Sequence, residues 1–249
     1  MKIKQFILKH KLIFSFSIFL FCFGLFLMLF LRMDIDYFWH FKAGEYMVRH
    51  STILTHDVFS WSLFSYPWIS HEWLFEIILY SLYLVFGKYH LFIYVFFITL
   101  GLLFFLFLSQ KKEYLKNLPF ALLWTVFFAL VFTGLSGRPQ LFSFLLLAVS
   151  VYLIFYYFYH PNSKRIYFLP IISLIWANIH GGSSNLPYLL CILVLFCGLF
   201  QFSFSKIEAE RISKKQIFTY LLVVFLCIIA VVINPHGIQM LFYPYQNMA

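Results

Sequence analysis

Asp34-Ile35-Asp36 places two carboxylates two residues apart in a chain that has only nine acidic side chains. A pair of this kind can hold a divalent cation, or one member can act as a general base whose proton affinity its neighbour tunes. His40 follows Asp36 at a spacing of four, which puts both on one face of a helix. Six of the nine acidic residues fall within 34–76: Asp34, Asp36, Glu45, Asp57, Glu72 and Glu76. Four of the nine histidines lie there too: His40, His50, His56 and His71. In an apolar chain, ionisable groups gather where water or a polar ligand meets them. His71-Glu72 is a second acid–base pair in this stretch, although a glutamate also suits the positive end of a helix that starts nearby. Glu76 sits one turn further on, inside an apolar run, where a carboxylate needs a partner.

Three motifs follow downstream. Arg138 stands between Gly137 and Pro139, the one charge in a long apolar region. It reads either as an arginine snorkelling from a helix end or as a planar fork for phosphate oxygens. Asn178-Ile179-His180-Gly181-Gly182 combines hydrogen-bonding side chains with glycines that let a ligand approach the backbone. Asn234-Pro235-His236-Gly237 reads as a helix stop. The candidate catalytic residues are therefore Asp34, Asp36, His71 and Glu72. Those for substrate binding are His40, Lys42, Arg138, Asn178 and His180. Metal ligation stays open, with Asp34/Asp36 as the place for a divalent cation.

These residues must be positioned by a membrane scaffold. Of the 249 residues, 63% are hydrophobic and 11% charged. Crossing the hydrocarbon core takes about 20 apolar residues. The fold class is an all-α polytopic membrane protein, with one membrane module over 1–249, no separate soluble domain and no internal repeat. Apolar runs predict seven spans, at about 12–31, 91–108, 118–135, 141–159, 166–179, 186–204 and 217–233. Residues 32–90 form a long first external loop. Within it, 34–50 reads as an amphipathic helix along the membrane surface, 51–69 as loop, and Ser70 as the N-cap of a helix starting at His71. The first run begins with Lys2, Lys4, Lys9 and Lys11 but lacks a small-residue cleavage site, so it reads as an uncleaved span.

The run 73–87 is short and carries Glu76, which suits an interfacial or re-entrant helix. If it does not cross, only Arg32, Lys42, Arg49, Lys88 and Arg138 lie outside, and the other thirteen of the 18 Lys and Arg residues lie inside. If it crosses, the balance inverts. The positive-inside rule selects the first arrangement, with the N-terminus cytoplasmic and the functional loop extracytoplasmic. All of the chemistry-bearing motifs then meet on the outer face, and plain charged connectors lie on the inner one. The net charge of +9 is accounted for by those connectors, with no nucleic-acid partner implied. The four cysteines, Cys22, Cys191, Cys197 and Cys227, lie in apolar runs and have neither metal-ligand nor disulfide spacing.

Taken together, these motifs resemble the GT-C superfamily of membrane glycosyltransferases, in an uncharacterised bacterial branch. The residues that carry the resemblance are Asp34-Ile-Asp-Tyr-Phe-Trp-His40, Pro67-Trp-Ile-Ser-His-Glu-Trp-Leu74, Arg138-Pro-Gln140 and Trp176-Ala-Asn-Ile-His-Gly-Gly182. The resemblance implies a first external loop with juxtamembrane helices, an acidic catalytic motif at Asp34/Asp36, and a polyprenyl-phosphate-linked sugar as donor at the cell membrane. Members of that superfamily are usually longer, which leaves room for a further C-terminal region or a partner subunit. Two other classes compete. A non-enzymatic transporter or scaffold would use the loop to bind a partner, but transporters place ionisable groups at mid-span, and here the spans are nearly free of charge. A metal hydrolase would use the histidines, but no H-E-x-x-H occurs.

Overall fold

The computed structural model describes residues 23–24, 33–109, 137–200, 203–204, 207–208 and 211–246. The predicted span at 118–135, and nearly all of that at 12–31, fall outside them. Among the described residues the architecture is all-α apart from one small antiparallel hairpin, β1 (Ser203–Phe204) with β2 (Ile207–Glu208).

Helix α1 (Tyr37–His50) buries Tyr37, His40, Ala43, Gly44 and Met47, a stripe at spacings of three and four, and turns its charged residues to the other side. It ends where Ser51 adopts a left-handed conformation and its N–H bonds the Met47 carbonyl. Helix α2 (Trp73–Phe86) packs on α1, with Phe75 and Glu76 against His40 and Tyr80 against Phe41. The two approach closely because Gly44 has no side chain: a Cβ there would lie 2.1 Å from the Glu76 carbonyl oxygen. Ser70 is not the cap expected of it. The helix starts at Trp73, after Glu72, and the Ser70 hydroxyl instead donates to Glu76.

Gly87, at φ +53°, reverses the chain between α2 and α3 (His90–Leu108). The two then run antiparallel, with Tyr83 against His90 at 5.3 Å and Phe75 against Tyr94 at 5.5 Å between ring centroids. Four helical stretches are long and apolar enough to cross a bilayer: Trp73–Leu108, Gln140–Tyr159, Gly181–Phe200 and Lys214–Val232. The first of these contains the reversal at Gly87, so its straight length is that of α3 alone, 19 residues.

Helix α4 (Gln140–Tyr159) runs in the same direction as α3, with Tyr94 beside Phe142 and Phe105 beside Tyr152. A short 3₁₀ turn, Arg165–Phe168, then leads into α5 (Leu169–Ile179), so the run predicted at 166–179 holds only 11 α-helical residues. Helix α6 (Leu186–Phe200) stops short of the predicted 204, and the β-hairpin follows. Helix α7 (Lys214–Val232) opens with a reciprocal capping box between Ser213 and Gln216. A last helix, α8 (Gln239–Gln246), which the apolar runs did not announce, packs on the turn at Gly181–Ser183. One core joins α2, α3 and the start of α4. A second joins the end of α4 to α5, α6, α7 and α8. The polar side chains at the ends of these helices meet between the two cores.

Candidate functional site

Two sets of polar side chains lie next to one another. The outer set is an ion-pair triad. Arg138, just before α4, donates through Nη2 to Asp34 Oδ1 at 2.5 Å and contacts Asp36 Oδ2 at 2.7 Å. The backbone N–H of Asp36 also donates to Asp34 Oδ1. Arg138 is therefore not the isolated cation its sequence surroundings suggested. It is the counter-ion of the acidic pair, and it holds the Asp34 carboxyl below the usual carboxylate range. The Tyr94 hydroxyl fixes the Arg138 backbone by donating to its carbonyl oxygen at 2.7 Å. The Arg138 Nε has no partner among the described residues.

The inner set is buried. Glu72 Oε1 lies 3.3 Å from His180 Nε2 and 3.5 Å from His71 Nε2, and Glu72 Oε2 lies 3.6 Å from His40 Nδ1. The same His40 nitrogen is 3.2 Å from Glu76 Oε1, and Ser70 Oγ donates to Glu76 Oε2. Glu76 thus finds the partners that a carboxylate in an apolar run requires. Burial pushes the Glu72 carboxyl up to about 8, with Glu76 and Asp36 adding to the shift and Arg138 opposing it. Burial pulls the His40, His71 and His180 imidazoles down to about 4. Near neutral pH these contacts join uncharged acids and uncharged imidazoles. The influence of Asp36 and Arg138 on both Glu72 and His40 couples the inner set to the outer one.

The surrounding chain orients this set. The Ser143 hydroxyl lies 2.6 Å from His180 Nδ1 and accepts from Trp176 Nε1 at 2.9 Å. Gly181 N–H donates to the His71 carbonyl, tying the motif after α5 to the start of α2. The His71 ring lies against Tyr243, and His236 Nε2 is 3.3 Å from the Ser70 carbonyl oxygen. Asn178 is fully engaged in holding helix ends together. Its amide N–H groups donate to the Leu174 and Ile233 carbonyls, and its oxygen accepts from Trp73 Nε1. Lys42 is exposed and paired with Glu45 at 2.7 Å.

A cleft of about 920 Å³ lies alongside. Its walls come from α1 (Phe38, Trp39 and Lys42) and from the loop before α2 (Asp57, Phe59 and Trp68 among others), and His71 closes it on the side of the inner set. The loop folds back on itself: Asp57 N–H donates to the Tyr66 carbonyl, Ser65 N–H to the Asp57 carbonyl and Trp68 N–H to the Thr55 carbonyl, and the Asp57 carboxylate accepts from Phe59 and Ser60. Its tip leaves Trp61 and Phe64 exposed.

Of the residues singled out from sequence, Asp34, Asp36 and Arg138 come together, as do His40, His71, Glu72 and His180. Lys42 reaches the cleft rim, and Asn178 is structural in its contacts. Ser143 was missed, because a hydroxyl inside an apolar run carries no signal of its own; Ser70, expected as a helix cap, and Trp176, quoted only within the resemblance, take part through Glu76 and Ser143. Comparison of the chain with protein-family models, curated proteins and solved structures returns no match.

Proposed function

We propose that this chain is a membrane glycosyltransferase of the GT-C type, moving a sugar from a polyprenyl-phosphate donor to a hydroxyl acceptor on the extracytoplasmic side. The observation that carries the reading is the triad of Arg138, Asp34 and Asp36 at the start of α1, the helix whose Phe38 and Trp39 form part of the wall of an aromatic cleft. Aromatic walls suit sugar faces and isoprenoid tails alike. In the reaction, the acceptor oxygen attacks the anomeric carbon and the bond from that carbon to the phosphate oxygen breaks. The acceptor proton passes to a carboxylate, and polyprenyl phosphate leaves with the electron pair. Asp36, the more exposed of the two carboxylates, takes the proton, and Asp34 holds Arg138. Arg138 has N–H groups to spare for the phosphate, whose charge grows as it leaves. His180, His40, His71 and Glu72 shape the floor beneath.

The membrane arrangement belongs to the same reading: seven spans, the N-terminus cytoplasmic, and α2 folded back without crossing. The reversal at Gly87 and the shared direction of α3 and α4 support it, since two parallel neighbours require a return between them. The test is direct. The purified chain is reconstituted in proteoliposomes with a short-chain polyprenyl-phosphate sugar, and release of polyprenyl phosphate coupled to acceptor glycosylation is measured. Saturable, acceptor-dependent release supports the reading. Specific binding of neither donor nor polyprenyl phosphate would overturn it.

A further inference from the structure

We infer that His71, Glu72 and His180 form a binding site for one divalent transition-metal ion of the zinc class. The geometry points there from three sides. First, His71 Nε2, Glu72 Oε1 and His180 Nε2 all lie within 4.8 Å of one another. The two histidine nitrogens are 3.5 and 3.3 Å from the shared carboxylate oxygen. Ligands held about 2.0–2.2 Å from a tetrahedral ion are separated by roughly 3.3–3.6 Å, so these two edges already have the length an ion demands. Second, the carboxylates lie in the interior, with Glu72 only 5% and Glu76 0% exposed. Among the described residues no lysine or arginine forms a salt bridge to either of them; imidazoles are their only basic contacts. Imidazoles held uncharged and a carboxyl group that a cation can deprotonate as it binds are the donors such an ion takes.

Third, two of the three ligands, His180 and Glu72, have the outer support a metal site needs. The Ser143 hydroxyl, which already accepts from Trp176, can accept a second hydrogen bond from His180 Nδ1–H. That tautomer leaves the Nε2 lone pair facing Glu72. On the other side of Glu72, His40 lies beside Oε2 and is itself held by Glu76. His71 also lines the cleft, so a fourth coordination position opens toward it. Two histidines and one carboxylate with an open position are the donor set of catalytic zinc sites. An ion here would bind a water or a phosphate oxygen entering from the cleft.

The inference stands apart from the glycosyl-transfer reading, because the metal is tested with no donor or acceptor present. The chain is purified with a histidine-free tag, stripped with chelator and titrated with Zn²⁺ against a chromophoric competitor, and zinc per chain is counted by mass spectrometry. Wild type should bind one ion, and saturating zinc should raise its melting temperature by several degrees. His71→Ala, His180→Ala and Glu72→Gln should each weaken binding at least about 100-fold. Ser143→Ala, which removes the outer support of His180 together with the acceptor of Trp176 Nε1, should weaken it about 10-fold. His50→Ala and His160→Ala, two exposed histidines elsewhere, should leave it unchanged. If any ligand variant fails to fold, the wild-type melting shift remains as a measurement. A wild type that zinc does not stabilise, or tight binding that survives the His71→Ala/His180→Ala double substitution, would overturn the site.

Discussion

The outer triad and the inner cluster hold similar residues in opposite surroundings. Arg138, Asp34 and Asp36 keep 35%, 27% and 46% of their side-chain surfaces in solvent. Glu72, His40 and Glu76 keep 7%, 3% and 0%. Water and salt screen the first set, so its pairing contributes little to stability and its charges remain open to a ligand. The second set meets water chiefly at His71 on the cleft wall, and its deeper groups persist only if each is satisfied. A region that needed packing alone would be filled as its neighbours are, by Phe75, Leu79, Trp176 and Met240. Retaining two carboxylates and three imidazoles there is costly for the fold. The difference assigns recognition of charge to the rim and rigid positioning to the floor.

The comparison breaks most visibly in activity. Arg138→Ala removes the group that faces both carboxylates and, on the proposed reading, the leaving phosphate, and should cut sugar transfer by roughly 100- to 1,000-fold. Arg138→Lys keeps the charge but loses the planar fork, and should fall between the two. Melting temperature should barely move in either, because the triad is solvated. The reverse holds on the floor. Glu76→Leu leaves the donors of His40 and Ser70 without an acceptor and should cost about 1–3 kcal/mol for each buried group left unpaired, read by SDS-induced unfolding. Gly44→Ala forces a methyl group against the Glu76 carbonyl and should cost about 1–3 kcal/mol by separating α1 from α2. The smallest effect belongs to Asp34. Arg138 depresses its folded-state proton affinity, so its contribution is present above about pH 4 and lost as pH falls below that through the lower folded value. Asp34→Asn should therefore lower the neutral plateau slightly and flatten the acid limb, so that the two profiles converge at low pH.

How much of this was legible in the sequence follows from what each signal depends on. Long apolar runs report burial directly, so α3, α4 and α7 appeared close to where the structure has them. The amphipathic α1 was legible from Trp39, Phe41, Tyr46 and Met47, although of these only Met47 belongs to the buried stripe of Tyr37, His40, Ala43, Gly44 and Met47, and Trp39 is exposed. The Asp36–His40 spacing did place both on one face, yet their side chains part company, one to Arg138 and the other to Glu72 and Glu76. The pairing of Arg138 with residues 102 and 104 positions earlier lies beyond any local pattern, because packing of α3 on α4 brings it about. Ser70 looked like a cap because serine before an acidic residue usually is one. A buried acceptor, Glu76, drew its hydroxyl away from the helix end. Helix α8 was missed because its eight residues carry Pro244 and are too few to show an apolar period.

The most direct measurement of the central claim is the single-turnover rate of sugar transfer by Asp36→Asn, with donor binding measured on the same sample. The substitution keeps the size of the side chain and removes only the acceptor of a proton, and general-base catalysis contributes about 100- to 10,000-fold. The account predicts transfer reduced within that range while the donor still binds at the wild-type affinity. Transfer at the wild-type rate would contradict it, and would leave the acidic pair as nothing more than the counter-ion of Arg138.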